Sequence, residues 1–197
     1  MTDLIHTDRR ETLLIALGLA AAALVPAAAG AAPAADTLDP AFAPHAKDWA
    51  WLVGNWAVKH RKLRERLVNS NQWDSFDGTC TNWPVLGGQG NVDDNLLDMA
   101  SGAYRGVGVR TFDTQTKLWA IWWIDSRTHG VGEPVRGGFR DGVGTFVGDD
   151  VHKGTKVKVR FRWSKITPTS AHWEQAFSVD GGKSWEDNWH MDFVRTA

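Results

Sequence analysis

Apolar and polar residues alternate with a period of two through most of the chain beyond residue 54. The clearest run is Val157-Lys158-Val159-Arg160-Phe161-Arg162-Trp163, with Val157, Val159, Phe161 and Trp163 on one face and three cations on the other. Period two with β-branched and aromatic residues on one side is the pattern of a half-buried strand. The runs 54–64, 71–81, 90–99, 104–112, 118–125, 135–140, 143–147, 171–179 and 187–195 are also read as strands. Turn chemistry separates them, as at 113–117, at 180–183 and at Asp141-Gly142, a pair suited to the positive φ angles of a tight hairpin. Only 41–52 reads as helical, over one to three turns. The pattern predicts an all-β fold: a single antiparallel up-and-down β-barrel of about ten strands with a short N-terminal helix, closed because closure removes exposed edges.

Residues 1–34 follow another order. A polar stretch containing Arg9-Arg10 precedes an uncharged apolar run over 13–25, and an Ala/Pro/Gly run occupies 26–35. Charged, apolar and small-residue regions in that order make an export signal. The apolar run is shorter than the roughly 20 residues of a spanning helix. Arg9-Arg10 resembles a twin-arginine signal, although Asp8 precedes the pair and Glu11-Thr12-Leu13 follows it. An ordinary secretory signal is the alternative. The expected organisation is an export signal over 1–34, a linker over 35–44 and a β-barrel domain over 45–197, located in the periplasm or secreted, with no integral membrane domain after cleavage.

Composition narrows the function classes. The 22 Lys+Arg balance 23 Asp+Glu, and removal of 1–34 leaves the two signs equal. Nucleic-acid affinity rests on clustered cations, so no nucleic-acid partner is expected. The cations at 156, 158, 160 and 162 read as a solvated outer face. One cysteine, Cys80, excludes an intrachain disulfide framework and a multi-thiolate zinc site. It reads as a buried thiol, with a reactive nucleophile as the alternative. The twelve Trp are the unusual count, since each buried indole needs a partner for its N–H.

Gly54-Asn55-Trp56 opens the first strand directly after the short helix. This resembles the lipocalins and the wider calycin group, which places Trp56 at the closed end with Arg195, on the last strand, packed across it. Trp51 to Trp56, Leu86-Gly87-Gly88, Phe112 to Trp119 and Trp173-Glu174 also resemble an uncharacterised family of exported bacterial barrels. Nitrobindin-like barrels are a more distant resemblance, and that family implies haem on a C-terminal His. His190 lies in the comparable region but alternates against Trp189, Met191 and Phe193, so it is expected to face outward; no cofactor is expected, with haem as the alternative. Ser178-Val179-Asp180-Gly181-Gly182-Lys183-Ser184-Trp185 is similar to the Asp-box of sialidase-like propellers. With one copy in the chain, it reads as a stable hairpin in which Asp180 bonds turn backbone and Trp185 packs beneath.

Chemistry is sparser. No His-x-His or His-x-x-x-His pair occurs, so no metal site is expected; one would require assembly across strands. No nucleophile elbow or phosphate loop is present. If Trp56 points inward, so does His60, which read alone is a strand-end surface residue. Trp119, Trp123 and Asp125 share one face of their strand, and Trp173 and Gln175 share a face of theirs. Trp119, Trp123, Trp173, Gln175, Arg110 and Asp94 are the candidate ligand-binding residues; Gly54, Trp56, Arg195, Asp180 and Trp185 are read as structural. The reading is an exported barrel holding a small hydrophobic or aromatic ligand in a Trp-lined cavity. Two alternatives stand: an enzyme, hydrolase or isomerase/cyclase, using His60 or Asp125 as acid/base, and a structural or interaction protein whose barrel is filled by its own indoles.

Overall fold

Strand follows strand in chain order: β1 (Gly54–Leu63), β2 (Trp73–Val85), β3 (Gly90–Asp98), β4 (Tyr104–Asp113), β5 (Leu118–Asp125), β6 (Val135–Arg140), β7 (Val143–His152), β8 (Thr155–Ser164), β9 (Ser170–Ser178) and β10 (Glu186–Arg195). Each pairs antiparallel with the next, and β10 pairs with β1 to close an up-and-down barrel. The structure, a computed structural model, describes residues 39–128 and 130–196. The export segment read over 1–34 lies outside the described residues, as do residues 35–38 of the linker, His129 and Ala197. The sequence-read strands match to within a few residues, except that β2 runs on to Val85 and β7 to His152.

The short N-terminal helix takes the form of two single 3₁₀ turns, Ala43–His45 and Ala50–Leu52. The segment bends between them so that Phe42, Trp49 and Leu52 all enter one end of the barrel, where they are buried. Phe42, which the sequence reading leaves in the linker, is thus part of the core. The plug is aromatic. Trp49 stacks on Phe146 (5.6 Å between centroids) and meets Phe139 edge-on at 4.9 Å. Edge-to-face indole and phenyl packing adds to the hydrophobic gain of burying such large rings.

A latch holds this end shut. The Arg195 guanidinium lies 4.2 Å from the Trp56 ring centroid. It donates to the carbonyls of Val53 and Pro168 at 2.7 Å each, and to that of Trp51. Trp56 Nε1 donates to the Leu52 carbonyl at 2.7 Å. Gly54 has φ +119°, and a Cβ there would stand 2.6 Å from Arg195 Nη1, so glycine is needed for both conformation and space. At the opposite end Asp180 accepts from the backbone N–H of Lys183 (3.0 Å) and Ser184 (2.9 Å), and from both serine hydroxyls of the hairpin. The Ser184 bonds above all hold its carboxyl well below the usual range. Trp185 Nε1 closes the turn on the Gly182 carbonyl at 3.0 Å.

Candidate functional site

Alternation sends one face of every strand inward. On β4 that face is Tyr104, Gly106, Gly108, Arg110 and Phe112. On β3 it is Asn91, Asp93, Asn95 and Leu97, while Val92, Asp94 and Leu96 point out. The polar inner face of β3 meets Arg110. Register places Asn91 directly opposite Arg110, and Asp93 opposite Gly108. Arg110 pairs with Asp93, and its Nη1 donates to Asn91 Oδ1 at 3.1 Å. Asp93 also accepts from the Gly108 N–H (2.9 Å) and Asn95 Nδ2 (2.6 Å), and Asn82 on β2 donates to Asn91 at 2.9 Å. The Arg110 guanidinium rests 4.7 Å from the ring centroid of Trp49 in the plug. A buried charge is tolerable only when so paired and bonded.

Beyond Arg110 the barrel is hollow. A cavity of about 410 Å³ is lined by Trp123, Trp163, Trp173 and Trp189, by Phe161 and several aliphatic side chains, and by Asp93, Asn95, Arg110 and Gln175. That volume lies within the range of small-ligand pockets. The indoles make a box: Trp173 meets Trp189 at 89° and 5.5 Å, and Trp123 meets Trp189 at 87° and 6.3 Å. Room comes from two glycines. A Cβ on Gly106 would stand 2.1 Å from the Trp123 ring, and one on Gly108 would stand 2.6 Å from the Asp93 carboxylate.

The mouth lies where β5 and β6 diverge. These strands pair at only three positions, Trp119↔Gly137 to Ile121↔Val135. The cavity opens past them between Thr128, Gly130, Gly132 and Glu133 and the Asp149-Asp150 stretch of β7. Its described rim carries the carboxylates of Glu133, Asp149 and Asp150, of which Asp149 is paired with Lys158 Nζ at 2.7 Å. Inside, Arg110 Nε and Trp163 Nε1 are buried without a hydrogen-bond partner among the described residues. Both belong to residues that line the cavity, and Trp49 Nε1, Arg66 Nε and Arg160 Nε, on residues outside its lining, share that status.

Of the sequence-read ligand residues, Trp123, Trp173, Gln175 and Arg110 line this cavity, whereas Trp119 and Asp94 do not. Trp119 sits in the plug, donates to Asp48 Oδ2 at 2.9 Å and packs on Phe42 and Phe112. Asp94 is on the outer face, held by Arg105. Nothing local in the sequence distinguishes Asp93 from Asp94 or reveals that β3 turns its polar set inward; Arg110 on the neighbouring strand decides it.

The candidate acid/base residues stand apart from the cavity lining. His60 is buried, stacked on Phe76 at 4.6 Å, and its Nδ1 accepts from Trp189 Nε1 at 3.3 Å. Burial, then Lys62, lowers its pKa to about 4. It is a core histidine behind the Trp189 wall, which corrects its reading as a surface residue. Asp125 accepts from the backbone N–H of Arg127 (2.8 Å) and from its Nε and Nη2. Burial opposes its charge, but these Arg127 bonds outweigh it and lower the pKa. Among the described residues no histidine lines the cavity. His190 packs outside on Trp73 and His172, so it does not fit as an axial ligand to a haem inside the barrel. The Cys80 thiol is buried, and burial pushes its pKa up, away from a reactive thiolate.

The barrel has a solved counterpart. It is similar to the structure of an S-type phycobiliprotein lyase from Guillardia theta. The TM-score is 0.50 at 12% identity, covering 76% of this chain and 90% of that one. At that identity the likeness is one of fold: a closed, calycin-like, ten-stranded barrel. No family model matches the chain, and no curated protein matches it.

Proposed function

We propose that this protein is an exported binding barrel for a small, mostly apolar, planar molecule. The observation that carries the reading is the 410 Å³ cavity walled by four indoles, with Asn95, Arg110 and Gln175 among its lining residues. Aromatic walls favour a flat apolar body, and the few polar lining residues favour a polar group on it. Glu133 and Asp150 at the rim, beside an Asp149 paired with Lys158, favour a neutral or cationic ligand over an anion. The barrel's likeness to a phycobiliprotein lyase supports a binding role at the level of fold alone. His60 and Asp125 have no place in this reading beyond holding Trp189 and the Arg127 turn.

Export rests on the residue order of 1–34. Gentle isolation from the producing cells followed by native mass spectrometry tests both parts. The expected result is a chain shortened by about thirty-four residues, carrying one small organic molecule that leaves on denaturation. A full-length chain found only in the cytoplasm contradicts export. A chain that takes up no apolar or aromatic compound contradicts binding.

A further inference from the structure

The outer wall carries a second constellation unrelated to the cavity. His172 and Glu174 on β9 and His190 and Asp192 on β10 occupy the corners of a square, because register sets Glu174 opposite His190 and His172 opposite Asp192. Outward side chains two residues apart on one strand, and those facing each other across a ladder, are close neighbours. One donor atom each from His172, Glu174 and His190 lies within 4.8 Å of the others.

We propose that His172, Glu174 and His190 form a zinc-type divalent metal site on the outside of the barrel, with Asp192 orienting His172. His172 Nδ1 is bonded to Asp192 Oδ1 at 2.7 Å, which leaves Nε2 facing Glu174 Oε2 at 3.7 Å. A carboxylate on the far nitrogen of a ligating imidazole is the usual support of a metal-bound histidine. Zinc bonds of about 2.0–2.1 Å at tetrahedral angles place donors roughly 3.3 Å apart, so the 3.7 Å separation needs only a small inward shift. His190 has no hydrogen-bond partner among the described residues, and its ring stacks 28° from that of His172. Two imidazoles and one carboxylate leave the fourth position for water.

Charge around the square is mixed. Arg162 takes Glu174 Oε1 at 3.2 Å, leaving Oε2 for the metal, and Arg61 faces His190 across the β1–β10 ladder. Asp187 and Asp192 supply the compensating negative charge. Arg162 thus competes with a bound cation.

The test is calorimetric titration of the untagged chain with zinc chloride near pH 7.5, with cobalt(II) absorption reporting geometry. One zinc per chain and the intense visible bands of four-coordinate cobalt are expected. His172→Ala, Glu174→Gln and His190→Ala each weaken zinc binding at least tenfold, and Arg162→Ala tightens it severalfold. His45→Ala, at the plug, leaves it unchanged. All of these side chains lie outside the barrel core, and circular dichroism checks that each variant is folded. Absence of saturable binding, or an affinity unchanged in any of the three ligand variants, overturns the site.

Discussion

Arg110 on β4 and Asp93 on β3 form an ion pair whose side chains are only 6% and 4% exposed, at the boundary between an aromatic plug and a hollow barrel. Removing one partner strands the other charge, a loss of about 3–5 kcal/mol in buried pairs. Arg110→Met is therefore expected to lower unfolding free energy by about that amount in urea denaturation. The double variant Arg110→Met/Asp93→Leu is expected to recover much of it, since an apolar pair leaves no orphan charge. If the double variant is as unstable as the single one, the pair does not act as a unit.

Cavity volume depends on the absence of a side chain at residue 106, where a Cβ would stand 2.1 Å from Trp123. Gly106→Ala should displace that indole into the cavity at a cost of about 1–3 kcal/mol. Trp emission should shift, and affinity for a planar ligand should fall about tenfold or more with the fold retained, as circular dichroism and titration would show.

Stability should climb with pH in two windows. The His60 pKa is lowered from 6.5 to about 4, so as pH falls through that window the unfolded chain takes up the proton first and stability is lost. The full effect is on the order of 3 kcal/mol. Lys62 is the next residue on the same face of β1, its Nζ 3.7 Å from the Trp189 centroid. Burial, then Arg66 and Arg127, lowers its pKa from 10.5 to about 7, so stability rises between those values as the unfolded chain alone keeps its proton. Midpoints of chemical denaturation against pH check both: His60→Gln flattens the acid window and Lys62→Met the alkaline one.

The Arg195 latch should be sensitive to side-chain shape. Arg195→Lys keeps the charge, but one ammonium cannot lie over Trp56 and reach the carbonyls of Trp51, Val53 and Pro168 together. A loss of about 2 kcal/mol is expected in thermal or urea unfolding. An unchanged stability would show that the stack, and not the fork of hydrogen bonds, closes this end.

The fold was legible because period-two alternation and turn residues are local signals, and Val157 to Trp163 shows its buried face without help from any neighbour. Gly54-Asn55-Trp56 and Arg195 were legible through resemblance. The site was legible only where aromatic residues mark an inward face, as at Trp123 and Trp173. Asp93 was missed because β3 inverts the rule, turning Asn91, Asp93 and Asn95 in and Val92 out to serve Arg110 on another strand. Trp119 was misplaced for a related reason: sharing a face with Trp123 does not give depth along the barrel, and the plug that claims it is set by Asp48, far off in sequence. The His172, Glu174 and His190 cluster escaped notice because its donors meet only through the β9–β10 register.

The indoles divide by role. Trp49, Trp51, Trp56 and Trp119 seal one end; Trp123, Trp163, Trp173 and Trp189 wall the cavity. The most direct measurement of that division is fluorescence titration with N-phenyl-1-naphthylamine, a neutral planar probe, on the native chain and on Val159→Trp, which fills the cavity from β8. One saturable site with quenching of Trp emission is expected for the native chain, and loss of that site in folded Val159→Trp. No saturable binding by the native chain, or equal binding by the filled variant, would contradict a ligand cavity within the barrel.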